Sequence, residues 1–294
     1  MRVERRKSNM RRFAWLNALL LVVVAALGAL VYFKPGGEAP AEHPLSRLKP
    51  SEVKSIRVER QGAADIALEN KDGGWFITAP LAARADELRV QRLIEIVEAR
   101  SAHRLVAGDL ARFELEPPAA RVTLAGQTFS FGMVNAVTRE QYVMTGDAVY
   151  AVNPRYGTAL PAGPLDLASR QLLGPGESPL RIELKDFTVE QRDGKWTLTP
   201  APAGELSQDD LVRWVDGWRL ASAIRVEPYV GGRSRPDISI QLKNGSRFTL
   251  GILASGESLV LARPDEKLQY FFRVDAGKRL LSPPSARDER AAKK

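Results

Sequence analysis

The sequence predicts an α+β fold: an N-terminal transmembrane helix followed by two tandem copies of a strand, helix and antiparallel-meander unit. Three observations predict it. Residues 13–33 run for twenty-one positions without a charge. The segment Asp72-Gly73-Gly74-Trp75 recurs as Asp193-Gly194-Lys195-Trp196, an offset of 121 positions. After each of these segments the apolar spacing is first helical and then alternating, the signature of a helix followed by half-buried strands.

The amino-terminal segment, residues 1–12, carries Arg2, Arg5, Arg6, Lys7, Arg11 and Arg12 against Glu4, a net +5 out of the chain's +8. The rest is therefore close to neutral. That excludes the broad basic face needed to neutralise a phosphate backbone, so no nucleic-acid partner is expected. The chain has no cysteine, which removes disulfides, thiolate nucleophiles, Cys-ligated zinc and acylation of a cysteine.

Residues 13–33, FAWLNALLLVVVAALGALVYF, form a helix of about 31 Å at 1.5 Å per residue, enough to cross the hydrocarbon layer. Trp15 at one end and Tyr32 with Phe33 at the other suit the two interfaces, and Lys34 closes the run. Residues 1–12 then form a basic cytoplasmic tail, because positive charge flanking a span stays inside. A cleaved signal peptide has a shorter apolar stretch, of about 7–15 residues. Ala25 and Ala29 could imitate its cleavage site, but the apolar run continues to Phe33. The expectation is a single-pass protein of the bacterial inner membrane, with the lipid bilayer as partner through residues 13–33 and the carboxyl-terminal region in the periplasm. Residues 34–52, rich in Pro, Gly and Ala, predict an extended linker in which His43 is solvated.

The first repeat is placed at 53–173 and the second at 174–281. In the first, Val90, Leu93, Ile94 and Val97 form one helical stripe; in the second, Leu211, Trp214, Val215 and Trp218 do the same. Asp86 and Ser207 precede these helices at equivalent positions and can cap them. Alternating strands follow at 118–124 and 236–242, with hairpin turns at Ala125-Gly126 and Asn244-Gly245. Phe129-Ser130-Phe131-Gly132 then matches Phe248-Thr249-Leu250-Gly251. Further strands at 141–145 with 149–153, and at 258–263 with 269–274, close the copies. Residues 160–178, with Pro161, Gly163, Pro164, Gly174, Pro175 and Gly176, are the joint, and 282–294 a disordered tail. Periodicity leaves open whether the copies form two domains or share one sheet.

Gly74-Trp75-Phe76-Ile77, the capped helix, Phe113-Glu114-Leu115-Glu116-Pro117-Pro118-Ala119-Ala120-Arg121-Val122-Thr123-Leu124 and Gln141-Tyr142-Val143 together resemble the family known as domain of unknown function 4340. Its pattern is a G-W-x-I strand, a helix, a Y-G-L-x-x-P segment and a yv…vy hairpin; Phe113 and Glu114 stand where the family has tyrosine and glycine. The resemblance covers about 54–173. It implies a membrane-tethered bacterial protein, similar in some members to proteins encoded beside gliding-associated ABC-type transporters. It transfers no catalytic residue.

The chain holds two histidines, His43 and His103. His103 aligns with Ile224, which reads as a packing position rather than a general base. Asp86-Glu87 and Asp209-Asp210 sit where carboxylates favour a helix dipole. Glu114 and Glu116 read as a solvated edge, and the matching part of the second copy has Glu227 alone. Gly73-Gly74 and Gly231-Gly232 are turn glycines without a phosphate-loop context. Trp214 and Trp218 read as core. No catalytic, metal-binding or cofactor-binding residue is expected. The function expected is a non-enzymatic scaffold or accessory subunit bound to an envelope protein, such as an ABC-type transporter complex. The alternative is a lipid- or glycan-binding module, and a hydrolase acting through His103 ranks third.

Overall fold

The computed structural model describes residues 4–32, 42–201, 204–231 and 237–285. Helix α1 is Glu4–Tyr32. The first copy contains β1 (His43–Pro44), β2 (Ser55–Arg60), β3 (Ile66–Lys71), β4 (Gly74–Ala79), β5 (Ala83–Arg84), α2 (Glu87–Ile94), β6 (Arg100–Ser101), β7 (Arg104–Val106), β8 (Ala120–Leu124), β9 (Gln127–Val134), β10 (Gln141–Thr145), β11 (Ala148–Val152) and the single turn α3 (Arg155–Thr158). The second contains β12 (Pro179–Glu183), β13 (Thr188–Arg192), β14 (Lys195–Thr199), α4 (Gln208–Arg219), β15 (Arg225–Pro228), β16 (Ile238–Leu242), β17 (Arg247–Ala254), β18 (Ser258–Arg263), β19 (Leu268–Arg273) and α5 (Val274–Leu281).

Among the described residues the first copy builds a nine-stranded sheet, β5-β4-β3-β2-β8-β9-β10-β11-β7, and the second an eight-stranded one, β14-β13-β12-β16-β17-β18-β19-β15. Apart from β5 the two orders correspond strand for strand. The match extends to single atoms. Glu87 Oε1 accepts from the Trp75 amide at 3.0 Å, and Gln208 Oε1 from the Trp196 amide at 2.8 Å. Asp86 caps α2 by accepting from the Arg89 amide, and Ser207 caps α4 by accepting from Asp210. Both caps satisfy helix-start donors that nothing else in the helix can reach.

Each helix packs its stripe on its own sheet. Val90, Leu93 and Ile94 of the first copy and Leu211, Val215 and Trp218 of the second are buried in one cluster with sheet residues such as Ile77, Phe129, Ile182, Leu250 and Tyr270. Fully burying one such side chain contributes about 1.5–3 kcal/mol. The stripe predicted through Val97 is buried throughout, but its last turn is a 3-10 segment, Glu95–Glu98. There are two large sheets beside the two-stranded β1-β6 pair, and one continuous apolar cluster runs through both large sheets, with a small second cluster of Phe113, Leu115 and Val149 on the first.

Several expectations are corrected. Ordered chain starts well before residue 53: β1 pairs with β6, His43 opposite Ser101, and Leu45 is buried with its amide donating to Ala99 O at 3.0 Å. His43 is accordingly half-buried. The cause is that a two-residue ladder and one leucine suffice to dock the segment, too short a pattern for composition to reveal. The expected linker's first part, 34–41, lies outside the described residues, as do Gly232, Pro236 and the tail from 286. The start of that tail is packed, since Pro284 is buried and Ser282 O accepts from the Trp214 indole at 2.8 Å. The expected last strand stops at Arg273, and Val274 begins α5. The joint is also packed: Leu167, Ala168, Leu172 and Leu173 are buried.

Side chains of α1 are described over 15–29, and all are exposed. That stretch of helix is about 22 Å long, short of the roughly 30 Å of a bilayer core. Residues 13, 14 and 30–33 of the expected span have no described side chains. Among the described residues no helix is both long and apolar enough to cross a membrane.

Candidate functional site

In each copy the capped helix lies beside the short helix that follows the last strand. Between α4 and α5 runs a groove of about 800 Å³, floored and walled by Trp214, Leu220, Phe272, Ala276, Leu280 and Pro283. The Trp214 indole is half-buried, packs edge-on to Phe187 at 5.6 Å and holds residue 282 in place as one wall. Trp218 below it is fully buried, with an indole nitrogen that has no hydrogen-bond partner. Core packing was expected for both tryptophans; Trp214 does pack against the core but is only half-buried, because α5 leaves its outer face open. The charged lining residues are Asp210, Arg213 and Asp216 on α4 and Lys278 and Arg279 on α5, and of these Asp210 is buried. The Ser207 hydroxyl and amide, at 2.7 and 3.1 Å, hold the Asp210 carboxyl below the usual carboxylate range.

The matching space in the first copy, between the end of α2 and α3, is about 310 Å³ and lined by Arg92, Glu95, Arg155, Tyr156, Thr158 and Ala159. One residue explains the difference. Gly157 of α3 sits against Gln141 of β10, and Gly277 of α5 against Leu259 of β18, so the two glycines are equivalent. Tyr156 then corresponds to Ala276. The buried Tyr156 ring, with the Arg155 guanidinium 4.7 Å from its centre, fills the place that Ala276 leaves empty.

A second constellation sits where the copies meet. Arg263, 2% exposed, donates to both Glu177 oxygens, at 2.8 Å to Oε2, and to Leu172 O at 2.5 Å. Arg84, from the edge of the first sheet, donates to Glu266 at 2.5 Å, to Gln171 O at 2.8 Å, to Leu172 O at 3.2 Å and to the Tyr270 hydroxyl at 3.3 Å. The Tyr270 hydroxyl itself donates to Glu266. Burial would lower both guanidinium pKa values, but the facing carboxylates outweigh it and raise them. Burial and the Glu266 charge both push Tyr270 up. Burial raises Glu177, yet the Arg263 hydrogen bond, the Gly174 amide and the Arg84 charge leave it below the usual range. The shifts of Arg84, Arg263, Tyr270 and Glu177 each reinforce the state the group ordinarily has at neutral pH, so the cluster is suited to clamping the copies together rather than to exchanging protons.

The residues weighed from sequence are dispersed. His103 is exposed in the bend between β6 and β7, where the Ser101 hydroxyl accepts from its amide, so it does not fill the packing position expected of it. Glu114 and Glu116 are exposed, and Glu114 has φ of 56°, the left-handed region where the family pattern has glycine. Among the described residues no three metal-ligating groups cluster. Arg84, Glu177, Arg263, Glu266 and Tyr270 were missed. One signal was available for Arg263, which continues the inward alternation of Leu259 and Leu261 and so places a charge at a core position.

A family model described as a domain of unknown function, DUF4340, matches residues 75–225, just over half of the chain. The match starts in β4 and ends on the first residue of β15, so it straddles both copies. Nothing matches among curated proteins or solved structures.

Proposed function

The chain belongs to the DUF4340 family, and on that premise we propose that it is a membrane-anchored, non-enzymatic scaffold or accessory subunit that docks an apolar segment of another envelope protein in the α4–α5 groove. The observation that carries this reading is the open groove at Ala276, in a copy whose counterpart is plugged by Tyr156. Apolar side chains bordered by charged ones, as in this lining, are the usual anatomy of a recognition surface. The anchor is residues 13–33, read as crossing the bacterial inner membrane with the basic residues 1–12 in the cytoplasm and both repeats in the periplasm. Support comes from α1 itself, in which Leu16, Leu20, Val24 and Leu27 are exposed and unpacked, as a lipid-facing helix requires. An ABC-type transporter complex is the partner class that the resemblance suggests.

The test is affinity capture of the tagged full-length protein from solubilised membranes, comparing wild type with Ala276→Tyr. A partner recovered reproducibly with wild type and lost with Ala276→Tyr supports docking in the groove. Equal recovery by both removes the groove from the reading. A second reading, a lipid or glycan site, is favoured by the groove volume, within the roughly 300–1,000 Å³ of small-molecule sites. It requires a co-purifying small molecule in native mass spectra, displaced in the same variant.

A further inference from the structure

The contact between the two copies has an unoccupied counterpart at the other end of the molecule. On the second copy, Arg84 rests on Gln171, Leu172, Tyr270 and Glu266, and its guanidinium lies over Gly174. The segment carrying Gln171 bridges Ser222, with the Leu172 amide donating to Ala221 O at 2.9 Å, and on the first copy Pro44 pairs with Arg100, with the Leu45 amide donating to Ala99 O at 3.0 Å. Leu45 and Leu172 are both buried, so Gln171, Leu172 and Gly174 correspond to Pro44, Leu45 and Arg47. Tyr270 corresponds to Tyr150, each being the third residue of the strand that follows the hairpin turn. Pro44, Leu45, Arg47 and Tyr150 line one cleft of about 540 Å³, together with His43 and Arg104. That cleft is the first copy's version of the surface on which Arg84 sits.

The charges at the two surfaces are opposite. On the second copy Tyr270 is paired across the ladder with Val226, and beside that copy's own Arg263 a further cation is supplied from outside as Arg84, meeting Glu266. On the first copy Tyr150 is paired with Arg104, whose Nε donates to the tyrosine hydroxyl at 3.3 Å, and Arg47 and His43 stand beside it. The facing acid is Asp147, which is 91% exposed and 3.1 Å from Arg104; such a solvated pair contributes about 0–1 kcal/mol and yields readily to a better partner. A cleft of this kind takes a carboxylate where the other takes a guanidinium. Arg84 lies two residues before the α2 cap Asp86, and the residue two before the α4 cap Ser207 is Glu205, which is exposed. The donor position has changed sign along with its acceptor.

We infer that the chain associates head to tail with a second copy of itself, with Glu205 of one molecule seated in the cleft of the next between Arg104, Arg47 and Tyr150. The contact repeats the one already made between the copies within one chain. It is heterologous, so it leaves one donor and one acceptor free and propagates into rows or rings. Tethering every molecule to one membrane would favour it by raising local concentration. The inference is independent of the groove.

The test is sedimentation velocity of the full-length protein in detergent micelles over a range of concentrations and salt. Wild type is expected to form dimers and larger species that dissociate at high salt. Glu205→Arg and Arg104→Glu, both surface changes, are each expected to sediment as monomers, and an equimolar mixture of the two to associate again, because both charge pairs are re-created. The cysteine-free background adds a second readout: Glu205→Cys with Arg104→Cys in one chain is expected to give an oxidised ladder of multimers. A monomeric wild type, association that ignores salt or either charge reversal, failure of the mixture to recover, or absence of a ladder each overturns the proposal.

Discussion

Replacing Arg263 by methionine isolates the clamp between the copies. Methionine retains most of the aliphatic stem, so the change removes a charge and its donors while leaving little cavity. Five losses follow: Asp265 loses its hydrogen bonds from the guanidinium, Glu266 loses a cation 3.5 Å away, and three more contacts go. Glu177 keeps only the Gly174 amide at 2.6 Å, Leu172 O keeps only the Arg84 donor at 3.2 Å, and the guanidinium no longer lies 4.2 Å over the Phe248 ring. Breaking a buried pair on one side costs about 3–5 kcal/mol, because the remaining charge stays uncompensated. Glu177 is 23% exposed, so water reaches it and the lower end applies. A loss of about 3 kcal/mol lowers Tm by roughly 6–12 °C for a folded region of this size. The assay is chemical unfolding of wild type, Arg263→Met, Glu177→Met and the double variant as a thermodynamic cycle. The double variant is expected to recover much of the loss, since it leaves no orphaned charge in that pair. A single-variant loss below about 1 kcal/mol, or full additivity of the two changes, would refute the clamp as the structure draws it.

Two glycines on neighbouring helices should respond oppositely to alanine. A Cβ at Gly277 would lie 2.6 Å from Leu259 Cβ, so Gly277→Ala should cost about 1–3 kcal/mol, whereas Gly217 has nothing within 4 Å and Gly217→Ala should stabilise by about 0.5–1 kcal/mol, both read as shifts in the denaturant midpoint. Glu177 has a folded pKa below its unfolded value, so its contribution is complete above about pH 4.5 and is lost as pH falls through the depressed value; urea midpoints between pH 5 and 3 should fall more steeply for wild type than for Arg263→Met. Ala276→Tyr should retain the fold, lose groove-dependent capture and leave sedimentation unchanged, which separates the two contact surfaces.

What could be read in advance was whatever repeats with a period. Four apolar positions spaced for a helix and preceded by a cap residue identified α2 and α4, and alternation identified β8 to β11 and β16 to β19. Features shorter than a period were lost. The β1–β6 ladder has two residues on each side, so His43 and Leu45 carried no pattern and looked like linker. Helix α5 has eight residues with a glycine among them, and glycine argues against helix until Leu259 is known to press on it. The Arg84 and Glu266 pair spans 182 positions, and no local rule brings those two together.

Comparing equivalent positions separates what folding requires from what has been free to change. Under the helices, Leu93 and Val97 in the first copy become Trp214 and Trp218 in the second, while across the gap Tyr156 becomes Ala276. If packing alone governed these exchanges, added indole volume on one helix would offset the ring lost from the other, and the two spaces would close alike. They do not: the second remains about 800 Å³ against about 310 Å³, because Trp218 turns down into the core and Trp214 is tied sideways to residue 282. The added bulk serves the floor and one wall, leaving the gap itself open. The docking proposed for this groove depends on that open gap, and that is why the capture experiment belongs at Ala276 and not at Tyr156.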